Sequence, residues 1–503
     1  MRFLSMHEAQ ARARLVAAGA ALLAAFLMAG CGANFRPIVT PIVSSGPAPQ
    51  PTSNVVVVSS PSPTSAGVVT IIDYAGDSVM AQASIGPGPS AFTLDEGGAT
   101  GYTLNSDGTI SNFPISTSLQ DKDVTYSTLP STAKPVNMMA PSAGLWAADL
   151  TGNVADLFQS SPATFKLAIP VQQTPVTIAG SPTLTGEREY AISEGFSDPT
   201  GVACNVSPTT APADGLATPI EIATNVTDTP IPLGKCPVYG VQSPDLQRLY
   251  VLNRGDDTIS VINTQTNSLD ACAPFTNQNG QTVSCHPTLP LSTSAVTATG
   301  ITPPNGTAGM PSIAGPVYAE YNAATSQLVV ADYDGGTISV IDVSLDEYGN
   351  DSPTFGTTYT IPVGKDPASV TVLYDGSRAY TANQADGTVT VVNLASHSVE
   401  KTLNVVGHPR TVVSTQNSQY GKVYVASPDS PYLTILQTTS DLVDTTVLVQ
   451  GNVVDVRATT QNGTGGNADY VSRVPGYGQP CNLPGVPTPT GTQTVLEACQ
   501  AIP

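Results

Sequence analysis

The side chains in this sequence that could do chemistry are first of all its cysteines. Besides Cys31 there are six of them, namely Cys204, Cys236, Cys272, Cys285, Cys481 and Cys499. In an exported protein, an even number of cysteines favours disulfide bonds over metal sites. The simplest pairing follows chain order, with bonds Cys204–Cys236, Cys272–Cys285 and Cys481–Cys499. Each bond would close a short loop and stabilise it by about 2–4 kcal/mol.

The adjacent residues Cys285 and His286 could also suggest haem attachment or zinc binding. The sequence lacks the C-x-x-C-H spacing of covalent haem attachment and the C-x-x-C pairs typical of zinc sites. The other histidines are His7, His397 and His408, and they support no Ser-His-Asp arrangement. We therefore predict no catalytic residues, no metal site and no cofactor.

Three aspartate-containing segments carry the oxygen atoms that calcium prefers. They are RGDDT at 254–258, DYDGG at 332–336 and QADGT at 384–388. None has the ligand pattern of a calcium-binding loop. Each lies between two β-rich runs, where Asp and Gly supply the geometry of a tight turn. We predict turns at these positions rather than metal ligands.

These turns belong to a repeated unit, which is the element that must position any site. RLYVLNRGDDTISVIN starts at Arg248, QLVVADYDGGTISVID at Gln327 and RAYTANQADGTVTVVN at Arg378. A period of roughly 40–50 residues that contains only strands and turns is typical of a β-propeller blade, which has four antiparallel strands. The sequence therefore predicts an all-β fold, a single β-propeller spanning residues 53–460.

The number of blades follows from the innermost strands, which line the central channel. Proline suits the first residue of such a strand because no backbone N–H is needed there. The predicted starts are Pro89, Pro135, Pro175, Pro237, Pro316, Pro367, Pro409 and, without proline, Gly451. The first repeat has no inner strand. The last repeat has an inner strand but lacks the three strands that should follow that strand. We therefore predict eight blades, with one blade closed by both ends of the ring. Seven blades is the alternative, because the repeats at 130–228 are degenerate.

The second strands carry a recurrent tetrapeptide, with YTLN at Tyr102, YVLN at Tyr250, YTAN at Tyr380 and YVAS at Tyr424. These strings resemble the YVTN-type β-propeller repeat family over most of residues 53–460. The resemblance implies an exported binding protein, with relatives among propeller-shaped lactonases, and it brings no universal catalytic residue. We expect the Tyr and Asn side chains of the motif to serve packing and turn formation.

The N-terminus predicts export and a lipid anchor. Residues 1–30 have a basic start and an apolar stretch typical of a signal peptide. The stretch ends in Leu-Met-Ala-Gly before Cys31, which resembles the lipobox of bacterial lipoproteins and implies acylation of Cys31. A plain secretory signal is the alternative. Residues 31–52 read as a Pro-rich tether, and Gly32 favours the outer membrane or the periplasmic face.

Composition argues against one class of partner. The formal net charge of −20 makes binding to nucleic acid improbable, since phosphate backbones would be repelled. Insertions are predicted at 270–312 and 207–218, and residues 461–503 form a Gly/Pro-rich tail. We look for a ligand site at the insertions and the neighbouring channel mouth, because loops on a rigid scaffold often carry binding.

Three functions remain open at this stage. The first is a non-enzymatic, lipid-anchored platform of the cell envelope that binds a protein, a peptide or a polysaccharide. The second is a lactonase-like hydrolase, which would need several acid–base side chains converging at the channel mouth. The third is a structural component of the envelope.

Overall fold

The computed structural model describes residues 54–459, except residues 96, 142–143, 161, 181–187, 198–212, 277–279, 281, 292–313, 347, 416–417 and 420. The predicted signal peptide, tether and tail lie outside the described residues, as do Cys31, Cys204, Cys481 and Cys499. No helix in the described ranges is long and apolar enough to cross a membrane.

The described chain forms eight antiparallel sheets arranged as the blades of a propeller. Blade 1 contains β1 (Asn54–Ser60), β2 (Ala66–Asp73), β3 (Val79–Pro87) and the last strand of the chain, β36 (Asn452–Ala458). Blade 2 contains β4 (Ala91–Leu94), β5 (Thr100–Leu104), β6 (Thr109–Pro114) and, after a 3-10 turn at Asp121–Asp123, β7 (Thr125–Thr128). Blade 3 contains β8 (Pro135–Met139), β9 (Leu145–Asp149), β10 (Val154–Ser160) and β11 (Ala163–Pro170).

Blades 4 and 5 have outer strands in two pieces. Blade 4 contains β12 (Pro175–Gly180), β13 (Arg188–Ser193), β14 (Asp214–Glu221), β15 (Val226–Thr227) and β16 (Ile231–Lys235). Blade 5 contains β17 (Pro237–Gln242), β18 (Arg248–Asn253), β19 (Thr258–Asn263), β20 (Ser268–Leu269) and β23 (Thr288–Pro290), with the hairpin β21 (Phe275–Thr276) and β22 (Thr282–Val283) inserted before β23.

The last three blades are regular. Blade 6 contains β24 (Pro316–Asn322), β25 (Gln327–Asp332), β26 (Thr337–Asp342) and β27 (Thr358–Pro362). Blade 7 contains β28 (Pro367–Val372), β29 (Arg378–Asn383), β30 (Thr388–Asn393) and β31 (Ser398–Asn404). Blade 8 contains β32 (Thr411–Thr415), β33 (Lys422–Ala426), β34 (Tyr432–Gln437) and β35 (Leu442–Leu448).

The ring closes as the sequence predicted. The last strand, β36, pairs antiparallel with β1, and the register joins Val55 to Ala458 and Ser60 to Asn452. This pairing supplies the inner strand that the first repeat lacks. Eight blades are confirmed and the alternative of seven is wrong. Closure also leaves no free blade edge at the junction of the two ends, where another chain could otherwise add.

Apolar layers between neighbouring blades form the core. Eight clusters of buried side chains join adjacent blades around the ring. The second strands supply much of this packing because both of their faces are covered, and β18 is buried at every residue. The outer strand β31 is exposed at nearly every residue. Continuous apolar runs therefore mark second strands, whereas polar runs mark outer ones.

The motif Tyr and Asn side chains hold this architecture together, as expected. The Tyr250 and Tyr380 rings are fully buried between blades. The Nδ2 of Asn253 donates to Thr258 Oγ1 at 3.0 Å and to Ser260 Oγ at 2.9 Å. These bonds span the turn between the second and third strands, so the Asn fixes the hairpin rather than serving a ligand.

The predicted insertions required two corrections. Residues 214–218 are not part of an insertion, because they begin β14, in which Pro219 pairs with Tyr190 of the second strand. The described part of the insertion at 270–312 does not lie at the channel. It separates β20 from β23, and both of these pair with the third strand β19 on the outer side of blade 5.

Candidate ligand-binding site in the central channel

A backbone irregularity recurs at the start of the inner strands. In blades 3 to 7 each inner strand begins at its proline, and the register shifts between that proline and the residue two positions later. Such β-bulges turn side chains in a new direction and are often found beside functional sites. The residues that follow the shift are Asn137, Thr177, Tyr239, Tyr318 and Ser369.

We call these five residues the collar, because their side chains connect neighbouring inner strands. Thr177 Oγ1 donates to Asn137 Oδ1 at 3.1 Å. The rings of Tyr239 and Tyr318 lie with their centroids 4.8 Å apart. Ser369 Oγ donates to the carbonyl of Arg410, which precedes the inner strand of blade 8, at 2.9 Å. The bulges thus place a ring of polar and aromatic side chains around the axis.

A cavity of about 270 Å³ lies against the collar. Four collar residues line it, and the inner strands of seven of the eight blades contribute to its wall. The wall includes hydroxyl and amide groups as well as the two adjacent tyrosine rings, whose planes are tilted by 32°. A concave site with a few convergent polar groups is the default candidate for ligand binding.

Charged side chains occupy one side of this cavity. Arg410, Asp455 and Arg457 all line it, which leaves one positive charge in excess. Arg457 Nη1 lies 3.0 Å from Asp455 Oδ1, and the same oxygen accepts the backbone N–H of Val456 at 2.9 Å. Arg410 Nη2 donates to the carbonyl of Val454 at 2.6 Å. In a protein of net charge −20, this is a local excess of positive charge.

Two of the acidic turns hold the loops that lead into inner strands. Asp256 Oδ2 accepts the backbone N–H of Lys235 at 3.0 Å, and Asp386 Oδ2 accepts that of Lys365 at 2.7 Å. Each lysine stands two residues before the inner strand of the same blade. These carboxylates therefore fix the loops that lead into the channel. In the described ranges, no three Asp, Glu, His or Cys side chains are grouped to hold a metal ion.

None of the described cysteine and histidine residues lines the cavity. The Cys272–Cys285 disulfide is present and closes the inserted hairpin. Cys236 is also disulfide-bonded, and its predicted partner Cys204 lies outside the described residues. His286 Nδ1 lies 2.7 Å from Asp351 Oδ2 in the next blade.

The same part of the structure contains a buried arginine. Arg248 Nε lies 3.3 Å from Asp270 Oδ2, and its Nη2 lies 3.6 Å from Asp351 Oδ1. This network joins the insertion to the outer part of blade 6, so its role is to attach the insertion. The other described histidines have local partners, His397 stacking on Tyr359 and His408 pairing with Asp429.

Sequence reasoning expected a site near the channel mouth but did not find the residues that form it. Tyr239, Tyr318, Ser369 and Asn137 each follow a strand-opening proline by two positions, and this spacing was a usable signal. Asp455 and Arg457 had no comparable signal, because their strand lacks the proline.

The chain matches no protein-family model and no curated protein. Among solved structures, apo AztD from Citrobacter koseri is similar over 84% of this chain and 100% of that chain, with 13% identity and a TM-score of 0.51. A putative 6-phosphogluconolactonase from Bacteroides fragilis covers 82% of this chain and 100% of its own, with 12% identity and a TM-score of 0.49. Identities this low show the shared propeller fold alone.

Proposed function

We propose that this protein is a non-enzymatic binding module of the bacterial cell envelope that holds a ligand in its central channel. The wall of the channel cavity is the observation that carries this proposal. It combines two adjacent tyrosine rings, hydroxyl groups and an excess positive charge, which are groups that bind and orient a ligand. A rigid eight-bladed ring fixes these groups without a conformational change.

The chemistry of the wall favours binding over hydrolysis. Asp455 is the one carboxylate among the described residues that line the cavity. Its Oδ1 already accepts from Arg457 and from the backbone N–H of Val456. A lactonase-like site would need several acid–base groups converging on the substrate, with pKa values suited to proton transfer. Among the described residues, the wall offers no second carboxylate and no histidine to complete such a set.

The location is part of the same proposal. Acyl chains on Cys31 would anchor the protein, and residues 32–52 would hold the propeller off the bilayer. The tetrapeptides at Tyr102, Tyr250, Tyr380 and Tyr424 support membership of the YVTN-type repeat family. Incorporation of a labelled fatty acid into the wild-type chain, and its loss in Cys31→Ser, would test the anchor directly.

Binding is tested with the full-length protein in detergent. Its melting temperature is measured against a panel of sugars, sugar acids, organic acids and amino acids, alongside assays for lactone and ester hydrolysis. We expect at least one compound to raise the melting temperature without turnover. Ala368→Phe, which would fill the cavity, should abolish the shift. Hydrolysis that disappears in Asp455→Asn would instead identify an enzyme, and a panel with no stabilising compound would contradict binding in the channel.

A further inference from the structure

Arg410 stands apart from the other arginines of the described chain. Those arginines all lie against carboxylates, as Arg188 does at 2.6 Å from Glu221 and Arg254 at 2.8 Å from Asp334. Within the described ranges, Arg410 makes no ion pair, and its side chain has one hydrogen bond, to the carbonyl of Val454. A guanidinium carries five N–H donors in a planar fork. The remaining donors can bind an anion in the cavity that Arg410 lines.

The charge of the wall indicates the kind of anion. Arg457 is paired with Asp455, so the excess positive charge corresponds to Arg410 alone. One uncompensated guanidinium is matched by one carboxylate, which it can bind through two parallel hydrogen bonds. A phosphate monoester carries a charge of about −1.5 to −2 at neutral pH and would leave negative charge uncompensated.

The rest of the wall indicates what the carboxylate is attached to. The rings of Tyr239 and Tyr318 add an apolar surface with polar hydroxyl tips. Hydroxyl and amide groups of Thr93, Asn137 and Thr411 share the cavity. This combination suits a saturated ring that has a flat C–H face and several hydroxyl groups.

The size of the cavity suits one such ring. Its 270 Å³ equals the liquid volume of about nine water molecules at about 30 Å³ each. That volume lies just below the range of about 300–1,000 Å³ typical of sites for drug-sized ligands.

We infer that the channel cavity binds a uronic acid, a single sugar ring with a carboxylate, in which Arg410 holds the carboxylate. The inference rests on the proposed function, because it names the ligand class of the same cavity. The ring can be a free monosaccharide or the end of an acidic saccharide chain, since both present the same chemistry.

Calorimetric titration of the full-length protein with D-glucuronate and D-glucose tests the inference. The two sugars differ only at the carbon that bears the carboxylate. We expect glucuronate to bind and glucose to bind at least about tenfold more weakly, because charge-assisted hydrogen bonds are lost. Titration with a short oligouronide distinguishes a chain end, which would bind more tightly than the monosaccharide, from a free sugar.

Variants then assign the preference to Arg410. Arg410→Gln should reduce glucuronate affinity about 10- to 100-fold and leave glucose affinity unchanged, whereas Arg410→Lys should retain part of the preference. Lys166→Gln, which removes the same charge from the exposed outer strand of blade 3, is the matched control and should change neither. If Arg410→Gln unfolds, Ala368→Phe provides an independent test, because it should abolish both affinities while keeping every charge.

Three results would overturn the inference. They are equal affinity for glucuronate and glucose, tighter binding of glucose 6-phosphate than of glucuronate, and a glucuronate preference that survives in folded Arg410→Gln. Should neither sugar bind while another compound binds in an Ala368-dependent way, the uronic acid is wrong and the binding function stands. If no compound of the panel binds, both the uronic acid inference and the proposed binding function are wrong.

Discussion

Replacing Asp332 with asparagine should stabilise the protein at neutral and alkaline pH. Asp332 ends the second strand of blade 6, where blade 7 has Asn383. Its Oδ2 accepts hydrogen bonds from Thr337 Oγ1 at 3.1 Å and from Ser339 Oγ at 2.7 Å. In blade 7 the amide of Asn383 donates to the two corresponding hydroxyls instead, so an amide already fits this position in the fold.

The magnitude follows from the buried carboxyl group. Burial raises the pKa of Asp332 from 3.8 to about 7, although its two hydroxyl partners oppose the shift. A shift of about 3 units corresponds to about 4 kcal/mol of unfolding free energy. Because the folded-state pKa is the higher one, this contribution is fully present below about pH 4 and is lost as the pH rises to about 7. Asparagine does not titrate, so Asp332→Asn removes the loss.

The assay is urea unfolding followed through the fluorescence of Trp146, the single tryptophan, which is buried in blade 3. The free energy of unfolding of Asp332→Asn minus that of the wild type should be near zero at pH 4 and reach up to about 4 kcal/mol at pH 8. The reverse change in blade 7, Asn383→Asp, is the matched control and should destabilise at pH 8 but hardly at pH 4. Parallel pH profiles for the wild type and Asp332→Asn would refute the reasoning.

Three further predictions concern the folded state. Replacing Cys272 and Cys285 with serine should lower the free energy of unfolding by up to about 3 kcal/mol, because their disulfide closes a loop with a sequence separation of 13. Calorimetry with and without reductant measures the difference. Glu189 is fully buried, burial raises its pKa, and neither carboxylate oxygen has a hydrogen-bond partner in the described structure. Glu189→Met should therefore raise the free energy of unfolding by about 1–3 kcal/mol at pH 8, which urea unfolding measures. Tyr380→Phe removes a buried hydrogen bond from the Tyr380 hydroxyl to Asp441 and should cost about 1–3 kcal/mol; an unchanged melting temperature would show that the bond contributes nothing.

Much of the fold could be predicted because its signals are local. The run from Arg248 to Asn253 is apolar on both faces, and a turn with Asp and Gly follows it, so strand, turn and strand are encoded within one stretch of chain. The interlocking ends of the repeat count also predicted that β36 would join blade 1. Prediction failed at the start of β14, because the predicted insertion at 207–218 includes residues 214–218, which belong to that strand.

The sequence by itself determined a ring of eight repeated sheets and the position of the Cys272–Cys285 bond, because each depends on residues that are close in sequence or on a regular period. Only the tertiary structure decided the site. The cavity takes one or a few residues from each of seven blades, and these are brought together solely by closure of the ring. Whether Arg410 is free to bind an anion likewise depends on its distances to the surrounding carboxylates. An arginine is recognised as uncompensated only when the positions of the surrounding carboxylates are known.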